Sequence, residues 1–533
     1  MKFETFGVMV DMSRNAVMTV DALKRLMDAL SKMGYNMLML YTEDTYEVEG
    51  APFFGYLRGK YTKAELCEID AYGASLGIEV IPCIQTLAHM TAQVRWHKIP
   101  FDAEDIMLVG DERTYDLIDR MFATFAECLH TRRIHIGMDE ARLLGKGRYL
   151  DKNGYEDSHA ILQKHLARVK EIAAKYGYET MVWSDMFFCP WNNGSYYIPK
   201  REVPKEYKNA LLPGVAPVYW DYYHTDEAAY DDMMYNHRQL SEDFWFAGAV
   251  WTGNGYMPHV DFSIRTMIPA FRMAEKYGVK NVFLTMWGDG GGECSRFALL
   301  SALFHISEVA KGNTDEADIK RKFRETFGAV YDDFMLLDLD ALDDLGNGAH
   351  PYSNVSKYAL LSDTFNGWLD YTFSAGVAER YADAAKKLKA AEKRNPAYAH
   401  VFRTAAALAS ALAVKYDLGV RVRAAYRAGD KDALMTIARV DYPRASRRVR
   451  AFAKALEEGW LAENKPAGLD MQHIRFGGVL SRLDYCRRTL LAYLAGEITA
   501  IPELEEEILD RGPKWTTDIP RSAFEIMSPS VAK

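Results

Sequence analysis

The sequence predicts an α/β protein: a (β/α)8 TIM barrel followed by an all-α C-terminal domain. Eight short apolar runs alternate with helical patterns over about 300 residues, the usual size of such a barrel. Several runs are apolar throughout, as in parallel strands buried on both faces. The predicted strands are 6–11, 36–41, 78–84, 133–137, 180–183, 215–220, 246–251 and 281–287. A doubly wound open sheet is the structural alternative, but no glycine-rich dinucleotide motif follows the first run.

Helical patterns separate the predicted strands, and two of them end close to a glycine, Gly34 and Gly77, as at a helix C-cap. After about residue 315 the strand pattern stops, and Ala, Lys, Arg, Leu and Glu dominate, which is typical of packed helices. A stretch with Gly, Asn, Pro and Ser, 346–356, predicts a loop. We therefore assign 1–314 to the barrel and 315–533 to a helical C-terminal domain.

Composition describes an ordinary globular chain of 533 residues, 49% hydrophobic and 26% charged. The net charge of -9 argues against a nucleic-acid partner, because phosphates require a positive field. The chain has no long uncharged apolar run that predicts a membrane span, and its start does not resemble a secretory signal. The six cysteines are scattered, as is usual in a reducing compartment. We expect a cytoplasmic protein without a membrane partner.

Two adjacent carboxylates, Asp139 and Glu140, give the sharpest chemical signal. They follow the predicted strand 133–137 directly. Barrel enzymes place their catalytic groups at the C-terminal ends of the strands, so this position favours catalysis. A solvated acidic pair in a loop is the alternative interpretation.

Four segments, in order along the chain, resemble motifs of glycoside hydrolase family 20, the β-N-acetylhexosaminidases. His135-Ile-Gly-Met-Asp139-Glu140 is similar to the family's H-x-G-x-D-E signature. Segments 7–14, 80–89 and 286–289 resemble its first-strand R-G-x-x-x-D-x-S-R, its third-strand segment ending in Gly-His and its last-strand W-G-E. The resemblance covers about residues 5–310 and implies a retaining glycosidase on a TIM barrel.

The resemblance also implies a mechanism in which the substrate's own 2-acetamido oxygen attacks the anomeric carbon, giving an oxazolinium intermediate. Glu140 would protonate the leaving oxygen and later activate water. Asp139 would accept a hydrogen bond from the acetamido N–H and stabilise the positive intermediate. The implied enzyme is an exo-β-N-acetylhexosaminidase that removes terminal β-linked GlcNAc or GalNAc.

Tryptophans end four consecutive predicted strands, and these are Trp183, Trp220, Trp251 and Trp287. A single one is usually a core residue, but four at equivalent strand ends predict an aromatic wall around the barrel mouth. By resemblance, this wall would enclose the acetamido methyl group and stack beneath the sugar ring.

The acetamido carbonyl needs a hydrogen-bond donor, which the family supplies with a tyrosine just after the seventh strand. This chain has Thr252 there. Tyr222 is the predicted substitute, and Tyr256 is the alternative.

Recognition of the other sugar hydroxyls departs from the family pattern. Phe6 occupies the place of the strand-one Arg that holds the 3- and 4-hydroxyls. Asp289 replaces the Glu of the last motif and is predicted to accept from the 4- and 6-hydroxyls, with Glu293 as the alternative. Glu43 and Asp44 end the second strand, and either could take over from the missing Arg; helix capping or solvation explains them equally well.

Three further positions have an expected role. His89 either supports Glu140 or lines the site, with a structural role as the alternative. His135 lies inside a strand and is expected to be structural. Arg14 and Asp11 are expected to form an internal ion pair rather than to contact substrate.

The implied partner is an oligosaccharide or glycoconjugate with a terminal N-acetylhexosamine, and the sequence leaves a homodimer open. No metal and no other cofactor is expected, because the 13 histidines show no clustered ligand spacing. Two alternatives remain. One is another retaining β-glycosidase with a separate carboxylate nucleophile, and the other is a catalytically inactive sugar-binding protein. The presence of both carboxylates argues against the second.

Overall fold

The computed structural model describes residues 2–252, 255–343, 353–512 and 523–528. Most of the predicted loop 346–356 lies outside the described residues. The chain divides into two compact units. The first comprises Met1–Val250, Ser263–Trp287 and Ala302–Asp315, and the second comprises Trp251–Phe262, Gly288–Ser301 and Glu316–Lys533.

The first unit is a closed barrel of eight parallel strands paired in chain order, with β8 returning to β1. This confirms the predicted fold class. The strands are β1 (Thr5–Asp11), β2 (Met37–Tyr41), β3 (Glu79–Cys83), β4 (Arg133–His135), β5 (Glu179–Trp183), β6 (Val215–Trp220), β7 (Trp245–Ala249) and β8 (Asn281–Met286).

Helices alternate with these strands and lead into the second unit. They are α1 (Val20–Met33), α2 (Lys63–Ser75), α3 (Thr91–Val94), α4 (Glu112–Cys128), α5 (Arg148–Asn153), α6 (Ser158–Lys175), α7 (Lys205–Lys208), α8 (Glu227–Arg238), α9 (Val260–Lys276) and α10 (Leu300–Ala310). Helix α1 shows how the ends are fixed: the Thr19 side chain accepts from the Ala22 N–H, and Gly34 closes the helix at φ 89°.

The inside of the barrel is a packed core. Inward side chains from β1, β2 and β3, such as Met9, Met39 and Cys83, meet Trp183 and Phe283 from β5 and β8. Gly7 is required in this packing, because a Cβ there would lie 2.7 Å from the carbonyl oxygen of β2 residue 37. The filled interior leaves the C-terminal ends of the strands as the place for a site.

The second unit is helical. From 316 to 512, its described residues contain helices and no β-strand. The helices after the barrel are α11 (Glu316–Phe327), α12 (Tyr331–Met335), α13 (Val355–Leu361), α14 (Val377–Arg394), α15 (Ala399–Lys415), α16 (Leu418–Arg427), α17 (Lys431–Thr436), α18 (Tyr442–Glu463), α19 (Leu469–Ala495), α20 (Pro502–Glu505) and α21 (Ala523–Met527).

Helix α15 is at the centre of this packing, against α14 and α18. Phe402, Leu408 and Leu412 on α15 are fully buried. The stretch Pro396–Arg427 is long and apolar enough, by length and composition alone, to cross a membrane, and 56% of its most apolar window is buried. A core helix covered by its neighbours has the same composition.

Candidate active site

The backbone leaves β4 through a tight, left-handed turn. Gly137 and Met138 both have φ 72°, and Glu140 has φ 52°. A Cβ at position 137 would collide with the Gln85 side chain, so glycine is required there. A non-glycine residue in this region costs roughly 1–3 kcal/mol, and such strain concentrates at functional sites. The turn leaves Asp139 only 9% exposed and the Glu140 side chain 47% exposed.

His135 supports this turn from below. Its Nδ1 accepts from the Gly137 N–H at 3.1 Å, and its ring lies 4.3 Å from that of Trp183. Burial lowers the pKa of His135 to about 3, so the imidazole is neutral. These contacts agree with the structural role expected for this residue.

Asp139 is fixed by two partners. Gln85 Nε2 donates to Oδ1 at 2.8 Å, and His89 Nε2 lies 3.1 Å from Oδ2. Burial alone would raise the pKa of Asp139, but the charge and hydrogen bond of His89 outweigh it and hold this pKa below its usual value. Asp139 is therefore an anion at neutral pH, and both of its oxygens are already oriented.

His89 is the matching cation. Burial alone would lower its pKa, but the charge of Asp139 and the hydrogen bond to it raise the pKa to about 9. The same Nε2 lies 3.8 Å from Glu140 Oε2. His89 therefore stands between the two carboxylates, at φ 59°.

This pair makes stability depend on pH. The ordinary pKa of histidine is about 6.5, so protonated His89 stabilises the fold fully below pH 6.5. Its contribution is lost as the pH rises through the folded value of about 9. Between pH 6.5 and 9 the free energy of unfolding of the wild type should fall as His89 loses its proton. In His89→Gln this fall should be smaller, by at most about 3 kcal/mol. Chemical denaturation of both proteins across this pH range measures the difference.

The matched control is His473→Gln. His473 lies on α19, and its side chain is 59% exposed beside Glu457. Removing this surface histidine should leave the slope unchanged. An unchanged slope in His89→Gln would contradict the assigned ion pair.

Glu140 faces the open side of the turn. Its N–H donates to Asp185 Oδ2 at 2.9 Å, just after β5. Its carboxylate lies 3.9 Å from Arg142 Nη2. Burial first, and then the charge of Asp139, raise the pKa of Asp185 to about 7. The site thus combines a carboxylate held as an anion with a second one that is accessible to solvent.

Aromatic rings line the same strand ends. Trp183 is 1% exposed, and its ring centre lies 6.1 Å from that of Trp287. Trp287 lies 6.4 Å from Tyr222, which stacks on Trp220 at 5.4 Å. Burial raises the pKa of Tyr222 well above its usual value, so the phenol keeps its proton. The structure therefore brings three of the four predicted tryptophans together with the predicted tyrosine.

Trp251, the fourth, falls in the second compact unit. Its ring packs there on His259 and Phe262, with centres 6.5 Å and 5.8 Å apart. The alternative tyrosine, Tyr256, is also in this unit and lies 5.1 Å from Phe452. Thr252, in the family's tyrosine position, accepts from Arg296 Nη1 at 3.1 Å.

Glu43 and Asp44, the candidates at the end of β2, have different surroundings. Asp44 accepts from Arg58 Nε at 2.9 Å and from Gln93 Nε2 at 2.8 Å, which ties the loop after β2 to helix α3. Glu43 accepts from Tyr41 OH at 3.2 Å. Because Tyr41 OH also accepts from Gln85, Glu43 is connected to Asp139 through two side chains.

Two members of that network were not predicted from the sequence. Gln85 Nε2 donates both to Asp139 and, at 2.9 Å, to Tyr41 OH, while Gln85 Oε1 accepts from the Met138 N–H at 3.2 Å. Both Gln85 and Tyr41 are fully buried. The sequence signal that could have indicated Gln85 is its position, since it is a polar residue just after the C-terminal end of β3.

Asp289 and Glu293, the candidates after β8, belong to the second unit. Asp289 is exposed. Glu293 is fully buried, accepts from Lys357 Nζ at 2.7 Å and also pairs with Arg475. Its carboxylate is therefore committed to a buried ion-pair cluster of the helical region.

Phe6 is fully buried and stacks on Tyr35 at 4.4 Å, with Phe271 at 5.9 Å. Because side chains alternate along a strand and Met9 faces the barrel interior, Phe6 faces the surrounding helices. A side chain at position 6 is thus directed away from the barrel mouth.

Two family models match this sequence. "Glycosyl hydrolase family 20, catalytic domain" matches residues 3–202, and "Glycoside Hydrolase 20C C-terminal domain" matches residues 332–521. The chain belongs to glycosyl hydrolase family 20. It is therefore a glycoside hydrolase, as the resemblance of the four sequence motifs implied, and its helical region matches a C-terminal domain of the same family.

Relatives of this family 20 enzyme are distant. Hexosaminidase D of Homo sapiens is 25% identical over 380 residues, which cover 63% of this chain and 71% of that protein. Hexosaminidase D of Bos taurus is 26% identical over 206 residues, covering 36% of this chain and 55% of that protein.

A solved structure of the family 20 exo-β-N-acetylglucosaminidase from Vibrio harveyi is 16% identical, with a TM-score of 0.47. The alignment covers 63% of this chain and 58% of the Vibrio chain. This chain thus spans less than two thirds of both the bovine protein and the Vibrio enzyme.

Proposed function

We propose that this family 20 enzyme is an exo-acting β-N-acetylhexosaminidase. Its substrate would be an oligosaccharide or glycoconjugate with a terminal β-linked N-acetylglucosamine or N-acetylgalactosamine. One observation carries the proposal: an immobilised, ionised Asp139 next to a solvent-facing Glu140, at a barrel mouth lined by indoles. The names of the hexosaminidase D relatives support the same substrate class.

In the proposed reaction Glu140 is the general acid. It protonates the glycosidic oxygen as the bond to the anomeric carbon breaks, and it then takes a proton from the water that opens the intermediate. Its half-exposed carboxylate suits both steps, because the leaving group and the water arrive from solvent.

Asp139 is the orienting group. The nucleophile is the substrate's acetamido oxygen, and its attack places positive charge on the acetamido nitrogen of the oxazolinium ring. A fixed anion next to that nitrogen stabilises the charge without reorganising. Gln85 and His89 hold Asp139 in place, so the acetamido group is bound in a reactive geometry.

The aromatic wall completes this arrangement. Trp220 and Trp287 offer apolar faces for the acetamido methyl and the sugar ring, and the buried Trp183 supports Trp287 from the barrel core. Tyr222 keeps its proton and is the proposed donor to the acetamido carbonyl.

An enzyme with its own carboxylate nucleophile is the alternative. In that enzyme a carboxylate other than Glu140 would attack the anomeric carbon and form a covalent glycosyl-enzyme. Plain β-glucosides would then react as readily as 2-acetamido sugars.

Two assays decide between these mechanisms. The enzyme should hydrolyse 4-nitrophenyl 2-acetamido-2-deoxy-β-glucoside, and a thiazoline analogue of the bicyclic intermediate should inhibit it competitively. Equal activity on the plain β-glucoside, without thiazoline inhibition, would instead support a separate nucleophile. No activity on either glycoside would support a sugar-binding protein.

The proposal includes a cytoplasmic site of action. Its support is that all six cysteines are free thiols, as in a reducing compartment. Cell fractionation with an antibody to the chain tests it.

A further inference from the structure

The proposed general acid stands on a strained backbone. Glu140 has φ 52°, in the left-handed region that costs energy at a non-glycine residue. Such strain persists only where neighbouring groups hold it. The Glu140 N–H donates to Asp185 Oδ2 at 2.9 Å, so an acceptor from the loop after β5 meets the turn after β4. Asp185 therefore holds the strained conformation from outside the turn.

This contact also sets the direction of the acid's side chain. The angle φ is the rotation about the bond between N and Cα, so a fixed N–H and a fixed φ together determine the direction in which Cβ leaves the turn. In Glu140 that direction brings the carboxylate to the open side, where the side chain is 47% exposed. A displacement of about 1 Å from the reactive position can lower a rate by about 10²-fold. The placement of the Glu140 carboxylate thus depends on Asp185.

The turn that carries Asp185 is itself anchored. The Phe188 N–H donates to the Asp185 carbonyl at 2.9 Å. The Phe187 N–H donates to the Ser184 carbonyl at 3.0 Å, and the Ser184 hydroxyl donates to the Val218 carbonyl, on β6, at 2.9 Å. Both phenylalanines are buried. The Asp185 carboxylate therefore approaches the acid from a fixed support.

The burial of Asp185 is unfavourable for the fold. The residue is 3% exposed, and no ion pair among the described residues includes it. Burial first, and then the charge of Asp139, raise its pKa to about 7, which the Glu140 N–H and the nearby Trp220 indole offset only in part. Its Oδ1 is buried and has no hydrogen-bond partner of normal geometry in the part of the chain that the structure describes. A buried carboxylate without a cation costs stability, so stability alone does not explain this residue.

We propose that Asp185 is a positioning residue for Glu140: its Oδ2 holds the Glu140 N–H, so that the carboxylate of the acid meets the glycosidic oxygen. The inference rests on the proposed hexosaminidase function and extends it to a buried residue that acts through the backbone of the acid. The fold keeps this contact at a cost in stability.

Two substitutions separate the hydrogen bond from the rest of the side chain. In Asp185→Asn the amide oxygen can still accept the Glu140 N–H, whereas Asp185→Leu keeps the size of the side chain and removes the acceptor. We compare kcat and KM of both variants and the wild type for a series of aryl 2-acetamido-2-deoxy-β-glucosides.

Asp185→Leu should lower kcat by about 10- to 100-fold and keep KM within about threefold of the wild-type value, because the acid is displaced while the sugar still binds. This loss should increase with the basicity of the leaving group, which needs the proton most. Asp185→Asn should keep kcat within about threefold of the wild-type value, because the hydrogen bond remains.

Thermal unfolding is the second readout. Asp185→Leu should have a Tm equal to or above that of the wild type, because an apolar side chain replaces a buried carboxylate that has no counter-charge. A structural role for Asp185 predicts a lower Tm instead.

Asp102→Asn is the matched control. Asp102 is 7% exposed and accepts, at 2.6, 3.1 and 2.8 Å, from three backbone N–H groups of the loop after β4, those of Gly145, Gly147 and Tyr149. It too is a buried aspartate that binds the backbone of this loop, but it does not contact the acid. Its substitution should lower Tm and leave the dependence of kcat on the leaving group as in the wild type.

A wild-type kcat in Asp185→Leu would overturn the inference and leave the hexosaminidase function standing. A loss of the same size in Asp185→Asn would do the same, since the acceptor would then not be the group that matters. An Asp185→Leu chain with a lowered Tm, or one that does not fold, would show a structural role and overturn the inference as well. An inactive wild type would overturn the proposed function together with the inference.

Discussion

Replacing Glu140 by Gln should lower kcat/KM for 4-nitrophenyl 2-acetamido-2-deoxy-β-glucoside by about 10²- to 10⁴-fold. The amide cannot protonate the leaving oxygen, nor can it activate water afterwards. The loss should increase with the basicity of the leaving group, because a basic oxygen needs the proton most. A series of aryl glycosides measures this dependence.

Glu171→Gln controls for the removal of one negative charge. Glu171 lies on α6 in a surface pair with Arg168, and its side chain is 68% exposed. Its rates should match those of the wild type for every aryl group. A Glu140→Gln enzyme with unchanged rates would remove Glu140 from the role of acid.

Replacing Asp139 by Asn should lower kcat by about 10²- to 10³-fold, comparable to the loss of one preorganised electrostatic group. The amide removes the anion that stabilises the oxazolinium ring, and it leaves the charge of His89 without its partner. Thiazoline affinity should fall by more than the affinity for the product sugar, because only the cyclic intermediate carries the charge. Inhibition constants for both ligands measure the difference.

Asp70→Asn is the matched control. Asp70 is 4% exposed and accepts from the His130 N–H at 3.2 Å, so it too is a buried aspartate next to a histidine. It lies on α2, and His130 precedes β4, at the end of the strand away from Asp139. Asp70→Asn should lower thermal stability and leave the ratio of the two affinities unchanged. An unchanged ratio in Asp139→Asn would contradict its assigned role.

The barrel could be predicted from the sequence, because each strand is a short run of apolar residues that are neighbours in the chain. The five residues of β2, Met37–Tyr41, are all buried and apolar, and they appear in the sequence as one run. The carboxylate pair was found for the same reason, since its position at a strand end can be inferred from the strand itself. The predicted strand 133–137 continued two residues past β4, because the left-handed Gly137 does not alter the apolar pattern.

Contacts between distant residues could not be predicted in this way. Glu293 meets Lys357 and Arg475, which are 64 and 182 positions away, and no periodicity encodes such pairs. The contact between Gln85 and Asp139 likewise joins two different strand ends. The sequence therefore identified the acids and most of the aromatic wall, but not the groups that hold the acids in place.

The segment Gly288–Ser301 follows a barrel strand in the chain and packs with the helical region. A shortened chain that ends at residue 314 would keep Glu293 but lose Lys357 and Arg475, its two cations. That shortened chain would therefore lose both the ion pairs of Glu293 and the helical residues with which the segment packs. An exchange of C-terminal regions between related genes would therefore have to include this internal segment. The structural unit is encoded by separate stretches of the sequence.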